Sequence, residues 1–449
     1  MLINLYIFCF FLFIILMFII VNINKSRSIF DLNNFFLLFC LAEIPYLFYL
    51  NNNQSIIHNY VKKHLVDYEL VFSQHIILKV IFIAVALFAM TLISIRLPKI
   101  EKACSIEQYS YRDIRFFSVI LVFLTAGIYA VFLYKVGGLL YLLLNLSNKT
   151  LVVQGTAMFR NGFFVTSFLS VGFFIHYCSI KLSLGKCIKY DKFILFFLLI
   201  IFFIMLASFG ERKNPILLLI YSIVSWNFSV SKVKLLTLKN ILLFSGLLFF
   251  AALAPVLRKH NATEYYLSNP IELLMDALPY IGEVFKRFSE IDISLFIFSY
   301  FQGVDQFWFG ATFIDFLTGF IPSSFYPDKP PLDEGVYIYA LAHFNNVTPP
   351  VPFHSMAPVG WPLSRVTAGY VHFGVIGVAV SAFIVGVILR LVSNIYRFSN
   401  CSPYAGFFYC TLIVTGFGLT NAFVFNNLIY LFIIFSMMFL TFIISGVNK

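Results

Sequence analysis

The chain is short of charge. Of its 449 residues only 11% are Asp, Glu, Lys or Arg, against roughly a quarter in a typical soluble domain. So few charged side chains cannot cover a water-facing surface, which excludes a soluble globular fold. The seven cysteines, at positions 9, 40, 104, 178, 187, 401 and 410, show no CxxC or metal-type spacing, so neither a disulfide framework nor a metal site is expected. Walker, HExxH and GxSxG motifs are missing, which leaves nucleotide hydrolysis, zinc proteolysis and elbow-type esterase chemistry without support. Inside the apolar runs the ionisable residues that stand out are Glu43, just before Pro45, and Lys79. Glu43 is expected to line a polar cavity and Lys79 to snorkel from a helix end. No run of acids suggests a proton-driven pump.

What the chain has instead is hydrophobicity, at 61% of residues. Leu2 to Val21 carries Asn4 as its one clearly polar member, and such a run crosses a hydrocarbon core of about 30 Å. Basic residues follow this run, at Lys25 and Arg27, and do not precede it, so it reads as a retained helix and not as a cleaved signal. Hydropathy predicts an all-α polytopic membrane protein with about 11 transmembrane helices. They fall near 2–21, 30–50, 75–95, 116–134, 162–180, 193–209, 214–229, 240–257, 367–389, 404–420 and 425–445. Assigning alternate loops to the cytoplasm gathers seventeen of the 31 Lys and Arg on one side. The positive-inside rule then sets the N-terminus outside and the C-terminus in the cytoplasm. The net charge of +11 therefore reports orientation, not nucleic-acid binding.

Three divisions follow: a transmembrane bundle over 1–257 holding spans 1–8, a large external loop domain over 258–366, and a second bundle over 367–449 holding spans 9–11. The loop carries eleven Asp and Glu against six Lys and Arg. Its stretches Ile271 to Phe288 and Ile291 to Phe320 mix aromatics with polar residues, which predicts helices lying along the membrane interface. Pro-rich Ile321 to Pro362 reads as irregular.

Basic residues on the outer face run against the orientation bias and are the candidates for chemistry. Gly210-Glu211-Arg212-Lys213-Asn214 forms nearly the whole turn between the sixth and seventh spans, and a helix N-terminus follows. Such a turn can clamp a phosphate, because guanidinium offers a planar donor pair and ammonium a point charge. The bland alternative is a solvated turn whose side chains snorkel to headgroups. Arg258-Lys259-His260 closes the eighth span, where interfacial anchoring competes with anion binding. The third cluster runs from His354 through Arg365 to Tyr370, His372 and Phe373-Gly374-Val-Ile-Gly377. It brings a titratable base and a cation to the bilayer surface, although a lone loop histidine is more often structural.

Four features together resemble the O-antigen polymerase (Wzy-type) family of oligosaccharide repeat-unit polymerases. They are the eleven spans with one large late external loop, the Gly-Glu-Arg-Lys turn, the run Ile321-Pro322 through Pro327-Asp-Lys329-Pro330, and the return to the membrane from Ala357-Pro358 through Gly377. The resemblance implies a GT-C-like glycosyltransferase of the bacterial inner membrane, its active site facing the periplasm, with no cofactor and no metal. It implies a donor glycan on undecaprenyl pyrophosphate, moved onto a lipid-linked repeat unit. Arg212, with Lys213, Arg258 or Lys259, would then hold the donor pyrophosphate, Arg365 the second one, and His354 or Glu211 would deprotonate the attacking hydroxyl. Tyr370 would contact substrate. Membrane lipids, a chain-length regulator and the pathway's flippase are the implied partners. An O-antigen ligase shares the architecture and the donor. A flippase for the same lipid is the transporter alternative, and it would be expected to have shorter loops and internal pseudo-repeats.

Overall fold

A computed structural model of the chain describes residues 2–22, 30–54, 57, 61–62, 67–92, 111–146, 152–153, 155–233, 237–257, 265–266, 268–280, 291–302, 306–322, 324–344, 347–357, 359–399, 401–414 and 420–447. Among them every regular element is helical. In chain order the α-helices are α1 (Leu2–Asn22), α2 (Leu32–Leu41), α3 (Ile44–Asn52), α4 (Tyr68–Leu92), α5 (Tyr111–Val136), α6 (Leu139–Leu144), α7 (Ala157–Ser183), α8 (Lys189–Ser208) and α9 (Lys213–Ser229). They continue as α10 (Leu238–Leu257), α11 (Pro270–Ala277), α12 (Ile291–Tyr300), α13 (Phe313–Thr318), α14 (Gly335–Phe344), α15 (Thr367–Phe398), α16 (Pro403–Val414) and α17 (Asn421–Val447).

Among the described residues eight helical stretches are long and apolar enough to cross a membrane: Leu2–Asn22, Leu32–Asn52, Tyr68–Leu92, Asp113–Val136, Ala157–Ser183, Lys189–Ser208, Thr367–Phe398 and Asn421–Phe439. Each coincides with an expected span. The other three expected spans fall on α9 with 17 residues, α16 with 12, and α10, whose apolar part is Ser245–Leu257. The architecture is that of a polytopic helical membrane protein. Exposed Leu, Ile and Phe along α1, α8 and α15 are what such a protein turns toward lipid.

The chain groups into two compact units. The first comprises residues 1–95, 285–393 and 415–428, and the second 96–284, 394–414 and 429–449. The segment 258–366 is thus shared between units that also hold spans. In the second unit α7 is the central helix. Phe163 to Ile175 are all buried along it, and it packs on α5, α8, α9 and α16. A helix apolar all round belongs inside a bundle.

In the first unit α4 is flanked by α1 and α12. Ile291, Leu295, Phe296, Ile297 and Phe298 of α12 have no exposed surface, so this stretch is a core helix and not the interfacial one expected from its mixed composition. Its polar interruption, Asp292, is accommodated by the Tyr46 hydroxyl at 3.5 Å. The apolar side chains of α11 and α13 do stay open, with Ile271, Met275, Ile314 and Leu317 all more than half exposed. That is the behaviour expected of helices at an interface.

Candidate functional site

The first unit buries two clusters of charge. Lys79 lies eleven residues into α4, about 16 Å along its axis, and is paired with the Glu43 carboxylate. It does not snorkel: α4 begins well before the expected edge, which carries Lys79 to mid-helix. Glu43 occupies the break between α2 and α3. Its other oxygen accepts from Arg365 Nη2 at 2.6 Å. Arg365 also donates to Cys40 Sγ at 3.3 Å and lies over the Phe39 ring. Two cations therefore share one carboxylate in an apolar surround. The reciprocal bonds Ser364 N to Thr367 Oγ1 (2.8 Å) and Thr367 N to Ser364 Oγ (3.1 Å) fix the start of α15, and with it the root of the arginine, in the manner of a capping box. Arg365, expected to hold a substrate pyrophosphate, thus has an anion of the protein's own.

Six residues after Thr367, α15 turns a corner. Phe373 (φ −141°, ψ 23°) and Gly374 (φ 59°, ψ −140°) leave the helical region, and the second conformation belongs essentially to glycine. The two arms touch backbone to backbone. A Cβ on Gly377 would lie 2.0 Å from the Gly369 carbonyl oxygen, and one on Gly369 would lie 2.4 Å from that of Gly377. A corner strips helical carbonyls of their donors, and orphan groups are costly away from water. Here the Val371 carbonyl accepts from Trp308 N (3.0 Å) and the His372 carbonyl from Phe309 N (3.1 Å). Phe309 takes a φ of 46° in this turn, a left-handed conformation costing about 1–2 kcal/mol outside glycine.

The corner holds the side chain of His372 against Glu334, which lies immediately before α14. Nε2 is 3.3 Å from Glu334 Oε1, and Thr312 Oγ1 donates to the same oxygen at 3.0 Å. Asn421, at the start of α17, donates to the Thr312 carbonyl at 2.6 Å. Asp315 follows on α13, its Oδ2 accepting from the Tyr337 hydroxyl at 2.8 Å. All of these side chains are buried: Thr312, Asp315 and Tyr337 completely, and Glu334, His372 and Asn421 to within a few per cent. Yet His372 Nδ1, Glu334 Oε2 and Asp315 Oδ1 have no hydrogen-bond partner. Buried polar atoms without a partner are costly, and here three of them fall in one cluster. Burial, with the Glu334 charge adding to it and the Tyr337 bond opposing, raises the Asp315 carboxyl to about 6. Asp333 is raised as well, chiefly by burial.

His372 and Asn421 also line a cavity of about 660 Å³. Its walls are Phe313, Phe316 and Phe373, and one face of α15 carrying Ile376, Val380, Ile384 and Ile388. Those four recur every four residues, so the groove follows the helix for about 18 Å. Ile376 and Val380 are more than half exposed, which leaves the groove open along its side.

Glu211, Arg212 and Lys213 are in the second unit. Gly210 makes the turn with φ +66°. Glu211 pairs with Arg160 at 3.6 Å and accepts from Asn214 at 2.6 Å, while Arg212 caps α9 and donates to the Ala251 carbonyl at 2.8 Å. His354 sits in a short 3₁₀ turn of the first unit, exposed, with Asp328 3.6 Å away. Tyr370 is buried; its hydroxyl donates to the Phe301 carbonyl and accepts from Gln74. Arg258 and Lys259 lie outside the described residues. The structure therefore brings together Arg365 with Glu43 and Lys79, and His372 with Glu334, and only Arg365 of these was singled out for a role. The signal for His372 was its position one residue before Phe-Gly-x-x-Gly; Glu334 offered none. Comparison with family models, with curated proteins and with solved structures finds no match.

Two consequences can be measured by thermal unfolding in detergent. Glu43→Gln leaves Lys79 and Arg365 without their anion and is expected to cost about 3–5 kcal/mol, with Lys79→Met in the same chain recovering part of it. An unchanged midpoint in Glu43→Gln would contradict the pairing. For Asp315 the fold favours the protonated form, so its contribution is complete below the ordinary carboxylate value near 4 and is lost as pH rises through about 6. The gain in midpoint between pH 7.5 and 5.5 should accordingly be smaller in Asp315→Asn than in the wild type, and equal gains would show that Asp315 is not buried as described.

Proposed function

We propose that the chain is a membrane glycosyltransferase that polymerises a surface polysaccharide, moving a growing glycan from undecaprenyl pyrophosphate onto a lipid-linked repeat unit at the periplasmic face of the bacterial inner membrane. The observation that carries this reading is the buried Glu334–His372 pair at the polar end of an apolar groove open along a candidate span. A groove of that form suits the hydrocarbon chain of a lipid carrier, and the polar end suits chemistry at the carrier's head. The eight apolar helices and the Gly-Glu-Arg-Lys turn support it further. In this reading Arg212 and Lys213, together with Arg258 and Lys259, keep the expected role of binding pyrophosphate, on the second unit. Arg365 is assigned to holding its own helix start through Glu43, leaving pyrophosphate binding to the other cations. A chain-length regulator and the flippase of the pathway are the expected partners.

A ligase using the same donor is the nearest alternative. A carrier is favoured by a different observation: Glu43, His75 and His372 are all buried in candidate spans of one unit, and intramembrane titratable groups often serve proton coupling. Gel analysis of surface lipopolysaccharide from the native bacterium after deletion of the gene separates the polymerase from both alternatives. A ladder collapsed to core with a single repeat unit is expected, since that unit is still flipped and ligated. Bare core alone would mean that ligation or flipping had failed, and an unchanged ladder would remove the chain from the pathway. With the deletion complemented by Arg212→Ala, the collapsed pattern should persist.

A further inference from the structure

The proposed transfer needs a group to take the proton of the attacking hydroxyl, and the residues expected for it are poorly placed. Glu211 is engaged by Arg160 and Asn214, and His354 is more than half exposed beside Asp328. We infer that His372 is the general base of this chain and that Glu334 is its positioning residue. This deepens the glycosyltransferase reading and rests on it.

Glu334 Oε1 already accepts from Thr312 Oγ1, and with the same oxygen accepting from the imidazole the nitrogen facing it, Nε2, carries the hydrogen. Nδ1 is then a bare lone pair. It is buried, has no partner, and belongs to a side chain that lines the groove. The ring is held in place: Phe313 and Trp308 pack on it with centroids 4.9 Å and 5.8 Å away. Glu334 is in turn held by Thr312, and Thr312 by Asn421. A base oriented by a carboxylate, which is oriented by a hydroxyl, is the arrangement that general-base catalysis uses. The backbone is fixed by the Gly369–Gly377 contact and by the two bonds from Trp308 and Phe309.

In the step, His372 takes the hydroxyl proton of the acceptor sugar on Nδ1. The acceptor oxygen forms a bond to the anomeric carbon of the donor glycan, the carbon–oxygen bond to pyrophosphate breaks, and the lipid pyrophosphate leaves with the electron pair. Glu334 balances the imidazolium that results. Two further carboxyls feel the Glu334 charge, Asp315 on α13 and Asp333 next to Glu334 in the chain.

The test complements the deletion strain with full-length variants and measures the rate at which repeat units enter the ladder. Membrane abundance and thermal midpoint are checked for each variant. His372→Gln keeps a side chain of similar reach but holds no proton at neutral pH, and it is expected to lose about 100-fold or more in rate. His372→Ala should lose as much and be partly restored by added imidazoles, in the order of their basicity, which a structural role would not produce. Near-normal rate in His372→Gln, rescue indifferent to basicity, or loss in His354→Ala with survival in His372→Gln overturns the inference. If neither His372 variant accumulates, Glu334→Gln is read instead: a fall of about tenfold or more supports the inference and an unchanged rate overturns it. A ladder that never depended on the gene defeats the glycosyltransferase reading itself and is told apart because the wild type then shows no effect.

Discussion

A helix that breaks within an apolar span must hand its freed backbone groups to other backbone, and the first unit is arranged around meeting that demand at Phe373–Gly374. Trp308 and Phe309 supply the two donors, at the cost of a left-handed phenylalanine. Because the same two amides join the segment before α13 to the corner, they bring Thr312 and Asp315 to where His372 emerges. The corner also turns the remainder of α15 so that Ile376, Val380 and Ile384 line one wall of a groove that begins at the imidazole. Geometry, polarity and access thus follow from one break in a hydrogen-bond ladder.

Charge is handled differently in the two buried clusters. Glu43 is saturated by Lys79 and Arg365, and both of its oxygens are engaged. Such a cluster resists change, because removing one member strands another. Glu334, Asp315 and His372 each keep one polar atom unpaired, a standing cost that packing elsewhere must offset. The first arrangement suits holding α2, α3, α4 and the start of α15 in register; the second suits a group that must meet something not part of the protein.

Spans were legible in the sequence because twenty apolar residues in a row have few alternatives. The helix edges and the interior of the unit were not. Lys79 reads as terminal because hydropathy starts its helix at 75, and the mixed residues of α12 read as interfacial because nothing in the sequence matches Asp292 with Tyr46, 246 residues away. Arg365 was noticed as an unexpected cation, but its partner at position 43 lies on a helix break that hydropathy reads as continuous. His372 stands beside Phe-Gly-x-x-Gly with no mark of a role, because Glu334, Thr312 and Asn421 reach it only through the fold. The turn at 210–214 is readable as a turn, and its helix starts at Lys213, one residue before the Asn214-Pro215 start that the sequence suggests.

The central claim is that the groove along α15 receives the hydrocarbon chain of a lipid-linked glycan whose head meets His372. The most direct measurement is mass spectrometry of the lipids that stay with the full-length protein through purification in mild detergent, compared between the wild type and Val380→Trp, which fills the groove from its open side. The account predicts a polyprenyl-linked species with the wild type and its loss from a Val380→Trp protein of equal thermal stability. Identical lipids with both, or acyl lipids alone with the wild type, would contradict it.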